Sequence, residues 1–103
     1  GPVLPIRVVR DEEEAIRLAN DSDYGLGATV WTCDPVKGEA IARRLEAGNV
    51  WVNEYGRTIN CGELFQGWKC SGIPSTNRRI TLFMKKRTIV NHASCQPRPH
   101  WFK

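Results

Sequence analysis

Asn49-Val50-Trp51-Val52-Asn53, running on to Leu64-Phe65-Gln66-Gly67-Trp68-Lys69-Cys70-Ser71-Gly72, is the stretch that decides how this chain folds. Its β-branched and aromatic opening predicts a strand, and Asn53 places an amide at the strand tip. In open α/β sheets, ligands sit in the crevice beyond the carboxyl ends of the strands. The segment after Asn53 is longer than an ordinary connection, and loops of that length are usually functional or disordered. Its aromatic residues argue against disorder. One wall of a small-molecule site is therefore the first expectation. A packed loop without chemistry is the plain alternative.

Working outward, the pattern alternates between strand and helix. Val3 to Val9 reads as a strand with Leu4, Ile6 and Val8 on one face, and Pro5 suits an edge or a strand start. Asp11-Glu12-Glu13-Glu14 opens a helix: Asp11 is the cap, Glu14 stands in capping-box position, and the acidic turn suits the positive helix end. Ala15, Leu18 and Ala19 form its apolar stripe, and it stops near Asn20-Asp21-Ser22. Tyr24 to Gly27 turns into a second strand, Ala28 to Thr32. Asp34-Pro35 starts a second helix with Pro at its first position; Ala40, Ile41, Arg44 and Leu45 share a face, and Gly48 terminates it. Asn49 to Asn53 is the third strand. The fold class is α/β: a β-α-β-α-β unit with mainly parallel strands and right-handed crossovers. A long loop follows, then a short helix within Arg78 to Lys86, capped by Ser75, Thr76 or Asn77. Arg87 to Asn91 reads as a terminal strand and Ala93 to Lys103 as a loose tail.

One hundred and three residues suit one small domain. A hydrophobic content of 41% with 25% charged residues is that of an ordinary globular chain. No apolar run approaches the roughly 18 residues of a membrane span, so no membrane partner is expected. The only Met is Met84, so the chain reads as cut from a longer parent or processed, with Gly1-Pro2 a possible protease scar. Cys33, Cys61, Cys70 and Cys95 contain no Cys-x-x-Cys pair and are too sparse for a disulfide scaffold. A reducing, cytoplasmic or otherwise intracellular setting is expected.

The net charge of +4 conceals an asymmetry. Residues 1–54 carry six basic and ten acidic side chains, a net −4, while residues 55–103 carry nine basic and only Glu63 as acid, a net +8. A basic half can contact nucleic acid or an acidic partner. Arg78-Arg79 and Lys85-Lys86-Arg87 are not interleaved with stacking aromatics, which weighs against single-strand nucleic-acid binding. A non-enzymatic module whose basic half binds an acidic partner or nucleic acid is kept as the rival reading.

The sequence supplies no catalytic set. Cys33 precedes a helix start, the only environment here that favours thiolate, yet an inert thiol is the better reading. His92 and His100 lie in or beside the tail. No Ser-His-Asp order, carboxylate pair, metal motif or phosphate loop occurs. Trp31 and Trp51 read as core or interface, whereas Phe65 and Trp68 are candidates for lining a pocket.

Taken together, these residues resemble the C-terminal part of the NAD(P)-dependent aldehyde dehydrogenase superfamily. The matches run in family order: Gly1-Pro2-Val3, Asp11 to Ile16 with Leu18-Ala19-Asn20, Tyr24-Gly25-Leu26 and Val30-Trp31-Thr32. Ala47-Gly48, Val50-Trp51-Val52-Asn53 and Phe65-x-Gly67-x-Lys69-x-Ser71-Gly72 follow, then a terminal strand. The likeness covers residues 1 to about 92. It implies oxidation of an aldehyde to a carboxylic acid with NAD or NADP in a parent enzyme. The nucleophilic cysteine, the general-base glutamate and the cofactor domain all lie upstream in family members, so no cofactor is expected on this segment alone. It further implies that residues 1–54 belong to the catalytic α/β domain, 55–78 to a substrate-tunnel loop, 79–92 to a short helix and oligomerisation strand, and 93–103 to a flexible tail. Asn53, Tyr55 and Phe65 would line the aldehyde site. Arg87, Thr88, Ile89, Val90 and Asn91 would join subunits of a homo-oligomer, with the remainder of the parent as the other partner. Gln66 departs from the first glycine of the family's Gly-Gly pair, and Pro74-Ser75-Thr76-Asn77 from its Gly-Arg-Glu-rich turn.

Overall fold

The structure, a computed structural model, describes residues 2–55, 66–71, 85 and 87–91. Phe65, Cys61, Cys95, both histidines, the expected helix in 78–86 and the tail from Ala93 lie outside the described residues.

Helix α1 spans Glu12–Asn20. The Glu14 N–H donates to Asp11 Oδ1 (2.8 Å), as the capping pattern demands. The reciprocal contact is displaced by one residue: Glu14 Oε2 accepts from the main-chain N–H of Arg10 (2.9 Å), not from the cap itself. Helix α2 spans Pro35–Arg44, and Asp34 Oδ1 accepts from both Val36 N–H and Lys37 N–H at 3.0 Å. Five strands accompany the helices: β1 (Tyr24–Gly25), β2 (Gly27–Val30), β3 (Asn49–Val52), β4 (Trp68–Lys69) and β5 (Thr88–Asn91). Strands β2, β3 and β5 form a parallel sheet in the order β2-β3-β5, with Ala28 opposite Val50 and Val50 opposite Ile89. Strands β1 and β4 form a separate antiparallel ladder.

Side chains alternate across a strand, so Ala28, Val30, Val50, Val52 and Ile89 share one face of the sheet. These residues pack with Ile16 of α1 and with Ile41, Ala42 and Leu45 of α2 into one apolar cluster. Both helices thus lie on one side of the sheet, α2 as the crossover between the parallel strands β2 and β3. The opposite face carries Gly27, Thr29, Asn49, Trp51, Thr88 and Val90.

Several expectations are corrected. Val3 to Val9 forms no strand, and Leu4, Ile6 and Val8 are between 81% and 92% exposed. Strand-like patterning gives no stability without a neighbouring ladder, and Pro5 removes one of the donors such a ladder needs. The buried residue of α1 is Ile16, and Ala19 is exposed. In α2 the buried positions are Gly38 and Ala42, whereas Ala40 and Arg44 face outward. Gly38 sets this rotation, because a β-carbon there would lie 2.5 Å from Val52 Cγ1. Trp31 falls just beyond β2 and is exposed, so it is not a core residue. Helix α2 ends at Arg44 with Leu45 as its cap, and Gly48 serves packing instead of termination.

Candidate functional site

The carboxyl ends of β2, β3 and β5 meet the start of α2, and three side chains fasten them there. Asn53 follows β3 directly and adopts a left-handed conformation (φ 55°), which Asn tolerates better than most residues. It is only 2% exposed. Its N–H donates to Val30 O (2.8 Å), and its Oδ1 accepts from Thr32 N–H (2.8 Å). Thr32 Oγ1 accepts in turn from Asp34 N–H (3.1 Å), and Asp34 caps α2. From β5, Asn91 Nδ2 donates to Pro35 O (3.0 Å). The amide oxygen of Asn53 therefore holds the β2–α2 connection.

Tyr55, the second expected site residue, is 78% exposed on the same departing arm. Its ring meets the indole of Trp51 with centroids 5.8 Å apart and planes inclined by 55°, a tilted geometry favoured by aromatic quadrupoles. The structure brings Asn53 and Tyr55 together, two residues apart at one strand end. Phe65 lies outside the described residues.

The returning arm, Gln66 to Ser71, is bound to the body at several points. Asn49 Nδ2 donates both to Leu26 O (2.8 Å) and to Gln66 O (3.0 Å), joining the residue before β2 to this arm. Gly25 N–H donates to Ser71 Oγ (2.9 Å), and Cys70 N–H donates to Asp23 O (2.9 Å). Lys69, also left-handed at φ 52°, sends its ammonium into a cradle of three acceptors. These are Asn20 O (2.6 Å), Ser22 O (2.9 Å) and Glu46 Oε2 (2.8 Å). The hydrogen bond from Lys69 holds the Glu46 carboxyl below its ordinary value of 4.5.

Two glycines explain why the arm fits. A β-carbon at Gly67 would fall 1.6 Å from Ser71 O, and one at Gly48 would fall 1.7 Å from Gln66 O. Gly67, Lys69 and Ser71, quoted above as a motif, are thus respectively a close approach, an ammonium hub and a hydroxyl acceptor. Asn49 and Lys69 were missed as positioning residues. A polar residue opening a β-branched strand was the available signal for Asn49.

The expected assembly residues begin inside the chain's own packing. Arg87 lies over the Trp68 ring, 4.3 Å from its centroid. Its Nη1 donates to Ala42 O (3.3 Å) and to Arg43 O, which satisfies carbonyls in the last turn of α2. Burial lowers its pKa, and the Arg43 charge adds to that. Thr88, Ile89, Val90 and Asn91 form β5, paired in parallel with β3. Lys69 and Arg87, two of the basic residues in the second half, are therefore engaged internally, which weakens the reading of that half as an open cationic patch.

Neither helix N-terminus is available to a phosphate group. Asp11 occupies the start of α1, where Glu12, Glu13 and Glu14 follow, and Asp34 occupies the start of α2. An anion would meet carboxylates where the amides of a phosphate-binding helix would otherwise stand. Cys33 and Cys70 are exposed. Among the described residues no cluster of His, Cys, Asp and Glu fits a metal ion, and no helix is long and apolar enough to cross a membrane.

Comparison with known proteins bears on this geometry directly. The model of the aldehyde dehydrogenase family matches residues 1–89. Acetaldehyde dehydrogenase 2 of Cupriavidus necator is 44% identical over 82 residues, which is 80% of this chain and 16% of that protein. An aldehyde dehydrogenase of Rhodospirillum rubrum is 42% identical over 102 residues, 99% of this chain and 20% of that protein. The NADP/NAD-dependent aldehyde dehydrogenase PuuC of Escherichia coli is 49% identical over 75 residues, 70% of this chain and 14% of that protein. The chain thus spans between 14% and 20% of the length of these relatives. No solved structure matches it. With the family model covering residues 1–89 and the Gly67-Lys69-Ser71 motif accounted for by packing, the chain belongs to the aldehyde dehydrogenase family.

Proposed function

We propose that these residues form the C-terminal portion of an NAD(P)-dependent aldehyde dehydrogenase, which oxidises an aldehyde to a carboxylic acid. In this reading the chain supplies part of the catalytic sheet and one wall of the substrate site. The observation that carries it is the fastening of both arms around residues 56–65, through Asn53 on one side and Asn49 and Lys69 on the other. A loop that selects substrate must be held from a rigid scaffold, and these bonds supply that hold. Asn53 and Tyr55 stand on the departing arm of the wall, and Phe65 is assigned to the same wall by the family resemblance alone.

The carboxylates of Asp11 and Asp34 support assigning the dinucleotide to other parts of the enzyme. The nucleophile and the general base belong there as well, so the 103 residues alone are inert. The position of β5 at one side of the sheet supports Arg87 to Asn91 as the place where a second subunit adds, because sheet edges accept further strands. Four sparse cysteines without a Cys-x-x-Cys pair support a reducing cytoplasmic compartment.

The test is formation of reduced nicotinamide by the full-length enzyme with a panel of aldehydes and either NAD or NADP. Aldehyde-dependent reduction supports the assignment, and none with any aldehyde refutes it. The isolated 103 residues assayed alongside are expected to give no turnover, and any turnover refutes their inertness.

A further inference from the structure

Trp51 projects from the sheet face opposite the helices and is only 4% exposed. Its indole lies across the backbone of β2 at Gly27, its diagonal neighbour in the parallel ladder. A β-carbon added at Gly27 would stand 2.8 Å from Trp51 Cζ3 and 3.3 Å from Cη2. Ordinary contact begins near 3.4 Å, so the outer edge of the ring would have to retreat by about 0.6 Å. The backbone at Gly27 is not in the left-handed region, so the ring alone resists a side chain there. The same ring is in contact with that of Tyr55, with centroids 5.8 Å apart.

We infer that Gly27 is a positioning residue for substrate selection, acting through Trp51 on Tyr55. The absence of a side chain at 27 lets the indole sink onto β2 and draws the Tyr55 ring toward the sheet. Any side chain at 27 lifts the indole away from β2 and pushes Tyr55 outward into the space over the strand ends. The affected ligands are aldehydes with a bulky apolar or aromatic substituent; short aliphatic aldehydes pass unhindered. The inference rests on the assignment of Tyr55 to the aldehyde wall made above.

The experiment compares kcat/KM for benzaldehyde and acetaldehyde in the full-length enzyme, as a ratio. That ratio is independent of how much of a variant is folded. Misplacement by about 1 Å can cost on the order of a hundredfold, so G27A is expected to lower the benzaldehyde-to-acetaldehyde ratio roughly tenfold. In a Tyr55→Ala background, adding G27A is expected to move the ratio by less than about twofold, because the relay has lost its last member. An active G27A enzyme with an unchanged ratio overturns the inference, as does a tenfold fall that persists without Tyr55. If G27A yields no folded enzyme, Trp51→Phe provides the reading: it removes the ring edge nearest Gly27, the ratio is expected to rise, and an unchanged ratio overturns the inference. A wild-type enzyme that oxidises neither aldehyde nor any other refutes the functional assignment itself, and the inference with it. A wild type that is active with an unresponsive ratio removes the inference alone.

Discussion

Replacing Lys69 by Met keeps most of the side chain's length and apolar stem while deleting its ammonium. The ammonium reaches Asn20 O at 2.6 Å and Ser22 O at 2.9 Å, and the side chain is 22% exposed. A hydrogen bond to a charged group contributes about 1.5–3 kcal/mol. Here both carbonyls lie near the surface and water can replace part of the loss. A local destabilisation of about 2–3 kcal/mol is therefore the reasonable total for the two. The effect is confined to the returning arm, so it is best read by hydrogen exchange at the amides of Cys70 and Gly25, which bond to Asp23 O and Ser71 Oγ. At roughly 1.4 kcal/mol per factor of ten, protection at those amides should fall about thirtyfold to a hundredfold, with core strand β3 unchanged. Lys69→Arg should recover only part, because a planar guanidinium cannot point three donors into one converging cradle. Equal protection in wild type and Lys69→Met would show that the arm is held by its main-chain contacts, and the ammonium hub would be dismissed.

Three other perturbations probe the same scaffold. Asn53→Ala leaves Thr32 N–H without its acceptor and puts at φ 55° a residue that tolerates the left-handed region less well than Asn, so stability should fall by about 2–3 kcal/mol in denaturant unfolding; Asn53→Gly should recover the backbone part only. Gly48→Ala drives a methyl into Gln66 O and should displace the returning arm at a cost of about 1–3 kcal/mol or more, visible as new proteolytic cleavage near residues 66–71. Glu13, Glu14, Glu39 and Glu46 all have depressed carboxyl pKa values, held down chiefly by hydrogen bonds from Arg44, Arg10, Arg43 and Lys69 respectively. Their contribution is complete above the unfolded value of 4.5 and disappears as pH falls through the lower folded values. Thermal stability should thus drop on acidification below about pH 4.5, and Glu46→Gln should flatten part of that drop.

Much of the fold was legible because the deciding contacts are local. Asp11 and Asp34 cap helices two or three residues ahead, and Pro35 fits the first helical position, so both helix starts stand in the sequence itself. Strand β3 announces itself by composition. What failed was non-local. The Val3–Val9 alternation states which side chains would share a face but not whether a neighbouring strand exists to pair with them. The inward face of α2 was misread because Gly38, an uninformative residue in a helical pattern, permits the closest approach to Val52. The β1–β4 ladder joins Tyr24 to Lys69, and the Arg87–Trp68 stack links β4 to the residue preceding β5. Neither carries a pattern that periodicity can detect. Of the candidate site, Asn53 was found for its position at the strand tip. Its main engagement, the hydrogen bond to Thr32, belongs to the scaffold.

The acceptors that grip the returning arm are mostly carbonyl oxygens of the main chain, at Asn20, Ser22 and Asp23. An oxygen of that kind survives any exchange of the side chain attached to it. Two of the donors, by contrast, are side-chain groups on Asn49 and Lys69, and each is lost in one mutational step. Tolerance to drift is therefore lopsided: the carbonyls of Asn20, Ser22 and Asp23 persist through a change of the side chain beside them, whereas positions 49 and 69 have almost no substitutes.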